Sequence, residues 1–105
     1  MDVFRESRSF PKEERYSLTD QIRRSSRNVA ANLAEAFRKR QFSGLFVSRL
    51  TDADGETTET LVWLDFARDC GYVQEAPHRR LVAQYELLGK MLGSMIMRAD
   101  KFVSP

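Results

Sequence analysis

Cysteine and histidine are almost absent: the chain of 105 residues has one of each, Cys70 and His78. A single cysteine excludes an intramolecular disulfide. A single histidine removes most metal and acid–base constellations, which need several such ligands or a base beside a nucleophile. Turn-formers are scarce as well, with five Gly and three Pro, too few for a sandwich or barrel of many short strands, so a mostly helical fold is expected. Long apolar runs are missing too: the stretches are a few residues each, far below the ~20 that a membrane span needs. The start, Met1-Asp2-Val3-Phe4-Arg5-Glu6, lacks the apolar segment of a secretory signal. These absences lead to the expectation of a soluble cytoplasmic protein that is not an enzyme, binds no cofactor or metal, and has no membrane partner.

What is present is a globular balance, 42% apolar and 30% charged. That suits one small domain, residues 1–105, whose limited core would gain from association with other copies. The net charge of +2 hides an asymmetry: residues 1–50 hold 11 Lys or Arg against 6 Asp or Glu, and residues 51–105 hold 6 against 9. The halves therefore differ in sign. This fits a nucleic-acid surface in the first half, or basic and acidic faces of one subunit meeting on its neighbours.

Breakers at Ser9-Phe10-Pro11, Phe42-Ser43-Gly44 and Gly71 to Pro77 divide the chain into a short lead-in and three long segments. Helices are expected at about 18–40, 42–70 and 76–102, with residues 1–16 as the remnant of a first helix and its Phe-Pro turn. Leu18, Ile22, Ser25, Val29, Leu33, Ala36 and Phe37 recur at helical spacing on one face. So do Phe42, Phe46, Leu50, Ala53, Thr57, Leu61, Leu64 and Ala67, and then Leu81, Tyr85, Leu88, Met91, Leu92, Met95, Ile96 and Ala99. Thr57 and Thr60 should bond back to their own backbone or to a partner. Ser17-Leu18-Thr19-Asp20 fits a capping box. Gly71 fits a left-handed helix stop with Tyr72 or Val73 folding back, and Ser104-Pro105 is expected to fray. The fold class is thus all-α: an antiparallel up-down bundle of three long helices plus the truncated first helix of a four-helix bundle.

Phe10-Pro11-Lys12-Glu13-Glu14-Arg15-Tyr16, Leu18-Thr19, Gln21-Ile22-Arg23-Arg24 and Asn32-Leu33-Ala34-Glu35 form a first block. Gly55, Glu59, Leu64, Ala67 and Gly71-Tyr72 form a second. Together these resemble the signature of the bacterial four-helix-bundle proteins encoded by intervening sequences in 23S ribosomal RNA genes, over about Phe10 to Phe102. The resemblance implies an up-down four-helix bundle assembling as a ring-like homopentamer. It also implies kinship with the accessory protein of diversity-generating retroelements, which is pentameric, basic outside, and binds nucleic acid and a reverse transcriptase. Most of that family has no assigned biochemical activity. Its members ordinarily carry a full first helix, of which only a tail at about Asp2 to Ser9 stands here. Ala36 replaces a common Gly, and Glu56-Thr57 a usual Ser-Leu.

Two surface stripes are the candidate sites. Arg23, Arg24, Arg27 and Arg38 fall within a sector of about 100°, opposite the core face, if the helix is regular. Lys39 and Arg40 extend the charge at the helix end. Phosphate contact with RNA or DNA is one reading, and a solvated or ion-paired face is the other. On the second long helix Asp52, Glu56, Glu59, Trp63 and Phe66 share a sector with Cys70. Aromatics beside acids suggest an oligomer interface, and burial against the missing first helix is the competing explanation. One arrangement joins the stripes: the Arg23 to Arg27 region meets Glu56 and Glu59 of another subunit or of the same bundle.

Gln21, Arg24, Asn32, Glu35 and Glu59 are expected to set register. The Glu-x-x-His spacing of Glu75-Ala76-Pro77-His78 falls short of a di-iron site, which needs a second such motif. Cys70 reads as a small packing residue, and Met91, Met95 and Met97 as core. The functional expectation is a non-enzymatic homo-oligomeric interaction protein that binds RNA or DNA through its basic surface. A purely structural protein–protein adaptor without nucleic-acid binding is the alternative.

Overall fold

The computed structural model describes residues 2–102, so the expected fraying of Ser104-Pro105 lies outside the described residues. Among those residues the chain is helical without strands: α1 (Asp2–Ser7), a turn of 3-10 helix at Lys12–Glu14, α2 (Leu18–Arg38), α3 (Ser43–Asp69), α4 (Glu75–Met97) and α5 (Ala99–Phe102). The long helices match the three expected. The third ends earlier than expected, at Met97, with Arg98 leaving helical geometry before the single turn of α5. No helix among the described residues is long and apolar enough to cross a membrane.

The helix ends show which local signals hold. Gly71 has φ 77°, its amide bonds the Arg68 carbonyl at 2.9 Å, and the Tyr72 amide reaches the Ala67 carbonyl at 2.8 Å. That is the paired stop expected of a left-handed glycine, and Tyr72 and Val73 pack back onto the core. The capping box at Ser17 does not form. Its hydroxyl donates to the Glu14 carboxylate instead of accepting from the helix, because the preceding 3-10 turn brings a charged acceptor within reach.

α3 packs against α2 on one side and α4 on the other, while α1 lies against α2 and α4. The core has two apolar clusters. The first joins Val3, Phe10, Leu18, Ile22, Leu64, Ala67 and Leu81; the second joins Ala36, Phe46, Leu50, Ala53 and Leu92. Between them lies a polar layer of Ser25, Thr57 and Thr60, all buried. Thr57 bonds the Ala53 carbonyl at 2.8 Å, and Thr60 meets both the Glu56 carbonyl at 2.9 Å and the Ser25 hydroxyl of α2 at 2.8 Å. The threonines therefore bond back as expected, and one of them also ties two helices together.

The radius of gyration, 15.1 Å, exceeds the ~13 Å of a compact chain of this length. The molecule is a rod of 49 × 24 × 17 Å. α2 and α4 each pack on α3 and not on each other, and short α1 bridges them at one end only, so several residues on the expected core stripes are not core. Phe37, Phe42 and Met91 are exposed, and Met97 is 87% exposed. Helical spacing puts Phe37 and Met91 on the expected stripes, whereas Phe42 is the cap before α3 and Met97, about 160° around the helix from Leu81, points away from the core. Phe37 meets Phe46 with ring centres 5.8 Å apart and is still 41% exposed.

Candidate functional site

Neighbouring positions on a helix point 100° apart, and this divides the arginine stripe. Arg24 turns toward α3: its terminal nitrogens reach Glu59, lie 3.6 Å from Glu56, and bond Gln21 Oε1 at 3.1 Å. Glu59 also accepts from the Trp63 indole at 3.2 Å. Arg23 turns the other way, toward α1, where its Nε donates to the Ser7 hydroxyl at 2.8 Å and its guanidinium lies 4.3 Å from the centre of the Phe4 ring. Arg27, Arg38, Lys39 and Arg40 are exposed, and none of them is ion-paired among the described residues. The expected single row opposite the core is thus three groups, because α2 is packed on two sides.

The acidic and aromatic set is divided too. Glu56 and Glu59 hold Arg24 of their own bundle, and Asp52 faces Arg49 at 3.5 Å. Trp63 is half-buried against the first core cluster, whereas Phe66, 5.7 Å from it, is 54% exposed. Both aromatics flank the start of α2, beside Leu18 and Gln21. α1 sits against α2 and α4 and makes no contact with α3, so this short helix does not cover them. Cys70 is exposed, not the packing residue expected, because it is the last position before the Gly71 turn. His78 is buried, and its Nε2 lies 2.9 Å from Asp65 Oδ1, joining the start of α4 to α3. Among the described residues no group of His, Cys, Asp and Glu could hold a metal ion.

The model of the 23S rRNA-intervening sequence protein family matches residues 1–94. The chain belongs to that family. No curated protein matches it. In this family member the first sequence block forms the α1–α2 turn and the α2 surface, and the second forms the α3 face and its glycine stop. Glu14 links the two: it accepts from Ser17 and, at 2.9 Å, from the Tyr72 hydroxyl. Those bonds, Ser17's first, lower the Glu14 carboxyl below the ordinary value, and Glu14 in turn pushes the Tyr72 phenol up to about 12.

Two features of this family member are not evident in sequence. Beyond the start of α1, a groove of about 470 Å³ opens between α2 and α4, walled by Val29, Ala30, Leu33, Leu81, Tyr85 and Leu88. Burial pushes the Tyr85 phenol up there. The second feature is a basic concavity at the α1–α2 turn, where Arg8, Lys12 and Arg15 join Arg23. The signal was the run of cations at spacings of four and three before α2. It was hidden because a turn, not a helix, brings them together.

Proposed function

We propose that this member of the 23S rRNA-intervening sequence family is a non-enzymatic homo-oligomeric interaction protein that binds RNA or DNA electrostatically. The observation that carries the reading is the set of exposed cations on α2 and in the turn that follows it, Arg27, Arg38, Lys39 and Arg40, which have no carboxylate partner among the described residues. An arginine already satisfied by acids has little to offer a phosphate; an unpaired exposed one does. Arg24 is accordingly assigned to the fold rather than to the ligand. Self-association is supported by the apolar groove between α2 and α4 with exposed Leu87 and Met91 nearby in α4, since small domains gain from burying such surface. The resemblance points to five copies.

Filter binding to generic RNA and duplex DNA across a salt series tests the nucleic-acid part. Binding at low salt that weakens as salt rises, and weakens again when Arg27, Arg38, Lys39 and Arg40 are replaced by alanine, is the expected result. No binding at low salt, or binding indifferent to those substitutions, would remove it. The adaptor reading would then stand on the groove alone, and mass in solution with Leu33→Glu decides that part: an oligomer that dissociates supports it, and a monomeric unsubstituted protein ends it.

A further inference from the structure

The turn between α1 and α2 folds around Phe10-Pro11, with Phe10 in the core. Its outer side forms a concavity of about 490 Å³ lined by Arg8, Lys12, Arg15 and Arg23, with no carboxylate in the lining. None of these four cations is ion-paired among the described residues. Like charges gathered in a concave, low-dielectric wall repel one another and concentrate a field that an anion relieves. Arg23 is already oriented for one by the Ser7 hydroxyl and the Phe4 ring.

Two further observations narrow the ligand. Thr19, in the first turn of α2, belongs to the same lining and is only 7% exposed, yet its hydroxyl is buried with no hydrogen-bond partner. Buried hydroxyls are normally satisfied, so this wall of the concavity holds an unpartnered polar atom beside four cations. Tyr16, also in the lining, is 86% exposed, with the Arg15 guanidinium 5.8 Å from its ring centre. An aromatic left open to solvent beside a phosphate-sized basic site is the arrangement that binds single strands, the backbone held by charge and a base stacked on the ring.

We propose that the α1–α2 turn is a phosphate subsite for single-stranded nucleic acid. Arg8, Lys12, Arg15 and Arg23 hold the backbone, and Tyr16 stacks on a neighbouring base. The proposal rests on the nucleic-acid reading above and names a strand type and a set of contacts beyond the α2 cations.

Fluorescence anisotropy with a labelled single strand, an abasic strand of equal length and a duplex tests it, with circular dichroism confirming that each variant is folded. Tyr16→Ala should weaken the intact single strand at least about fivefold and leave the abasic strand and the duplex unchanged. Arg8→Gln with Lys12→Gln should weaken both single strands and reduce the salt slope by about 1.4. If the protein binds the single strand but Tyr16→Ala binds it as tightly as the unsubstituted protein, the subsite is wrong while the α2 reading survives. If no strand binds the unsubstituted protein at low salt, both readings fall.

Discussion

Replacing Arg24 by alanine is expected to weaken the fold and spare polyanion binding, the reverse of Arg27→Ala. Arg24 is the cation shared by Glu56 and Glu59, and the three side chains are 43%, 21% and 32% exposed. Fully exposed pairs contribute about 0.2–1 kcal/mol, while hydrogen bonds to charged groups contribute about 1.5–3 kcal/mol where water is excluded. The intermediate burial places the loss at about 1–2 kcal/mol. It includes a few tenths for the repulsion between two carboxylates three residues apart that no longer share a cation. For a domain of this size that lowers the melting temperature by roughly 5 to 15 °C. Urea unfolding followed by circular dichroism, at matched protein concentration, measures it. A double-mutant cycle with Glu59→Gln should return a coupling near 1 kcal/mol that shrinks as salt rises. Arg27, without a partner, should change stability by less than about 0.5 kcal/mol. An Arg24→Ala midpoint equal to that of the unsubstituted protein, with no coupling to Glu59, would refute the assignment of Arg24 to the fold.

Gly71→Ala forces a side chain into the left-handed region at φ 77° and should destabilise by about 1–2 kcal/mol, read in the same unfolding experiment. Raising pH should show one tyrosine ionising at about 12, absent in Tyr72→Phe. Because its folded value lies above the ordinary one, the stability from this contact is present below pH 10 and is lost as pH rises through about 12. Glu14 has the opposite sign: its folded value is lowered, so its contribution is present above the ordinary carboxylate range and is lost as pH falls through the folded value. An alkaline limb identical in Tyr72→Phe would contradict the contact. Phe46→Ala empties a fully buried site next to Phe37 and Phe102. It should cost about 3–5 kcal/mol, seen as loss of cooperative thermal unfolding, and a variant as stable as the parent would deny the second core cluster.

Several features are legible in the chain itself. Leu64, Ala67, Ile22 and Leu81 announce their buried faces through spacing, because a helix repeats every 3.6 residues regardless of what it packs against. Gly71 announces a stop because the left-handed conformation is a property of the residue itself. Ser17 departs from its local pattern because the same hydroxyl suits an amide or a carboxylate, and the choice depends on where the Lys12–Glu14 turn puts Glu14. The arginines are legible in the sequence as a class but not as a site. Arg23 and Arg24 are adjacent in sequence and serve opposite sides of α2, whereas Arg8, Lys12 and Arg15 belong with Arg23 through a turn that periodicity does not describe.

The amino-acid sequence by itself determined the helices, their ends at Gly71 and Phe10-Pro11, and the excess of positive charge in the first half, since all three follow from local stereochemistry and residue counts. Tertiary structure alone decided which charges are free. Pairing depends on what lies across the interface, so the approach of α3 gave Arg24 two carboxylates and the approach of α1 gave Arg23 a hydroxyl and a ring. Arg27 and the end of α2 were left without acidic partners. It also decided which apolar residues are core, because the short α1 bridges α2 and α4 at one end only and leaves Leu33 and Leu88 along an open groove and Met91 exposed.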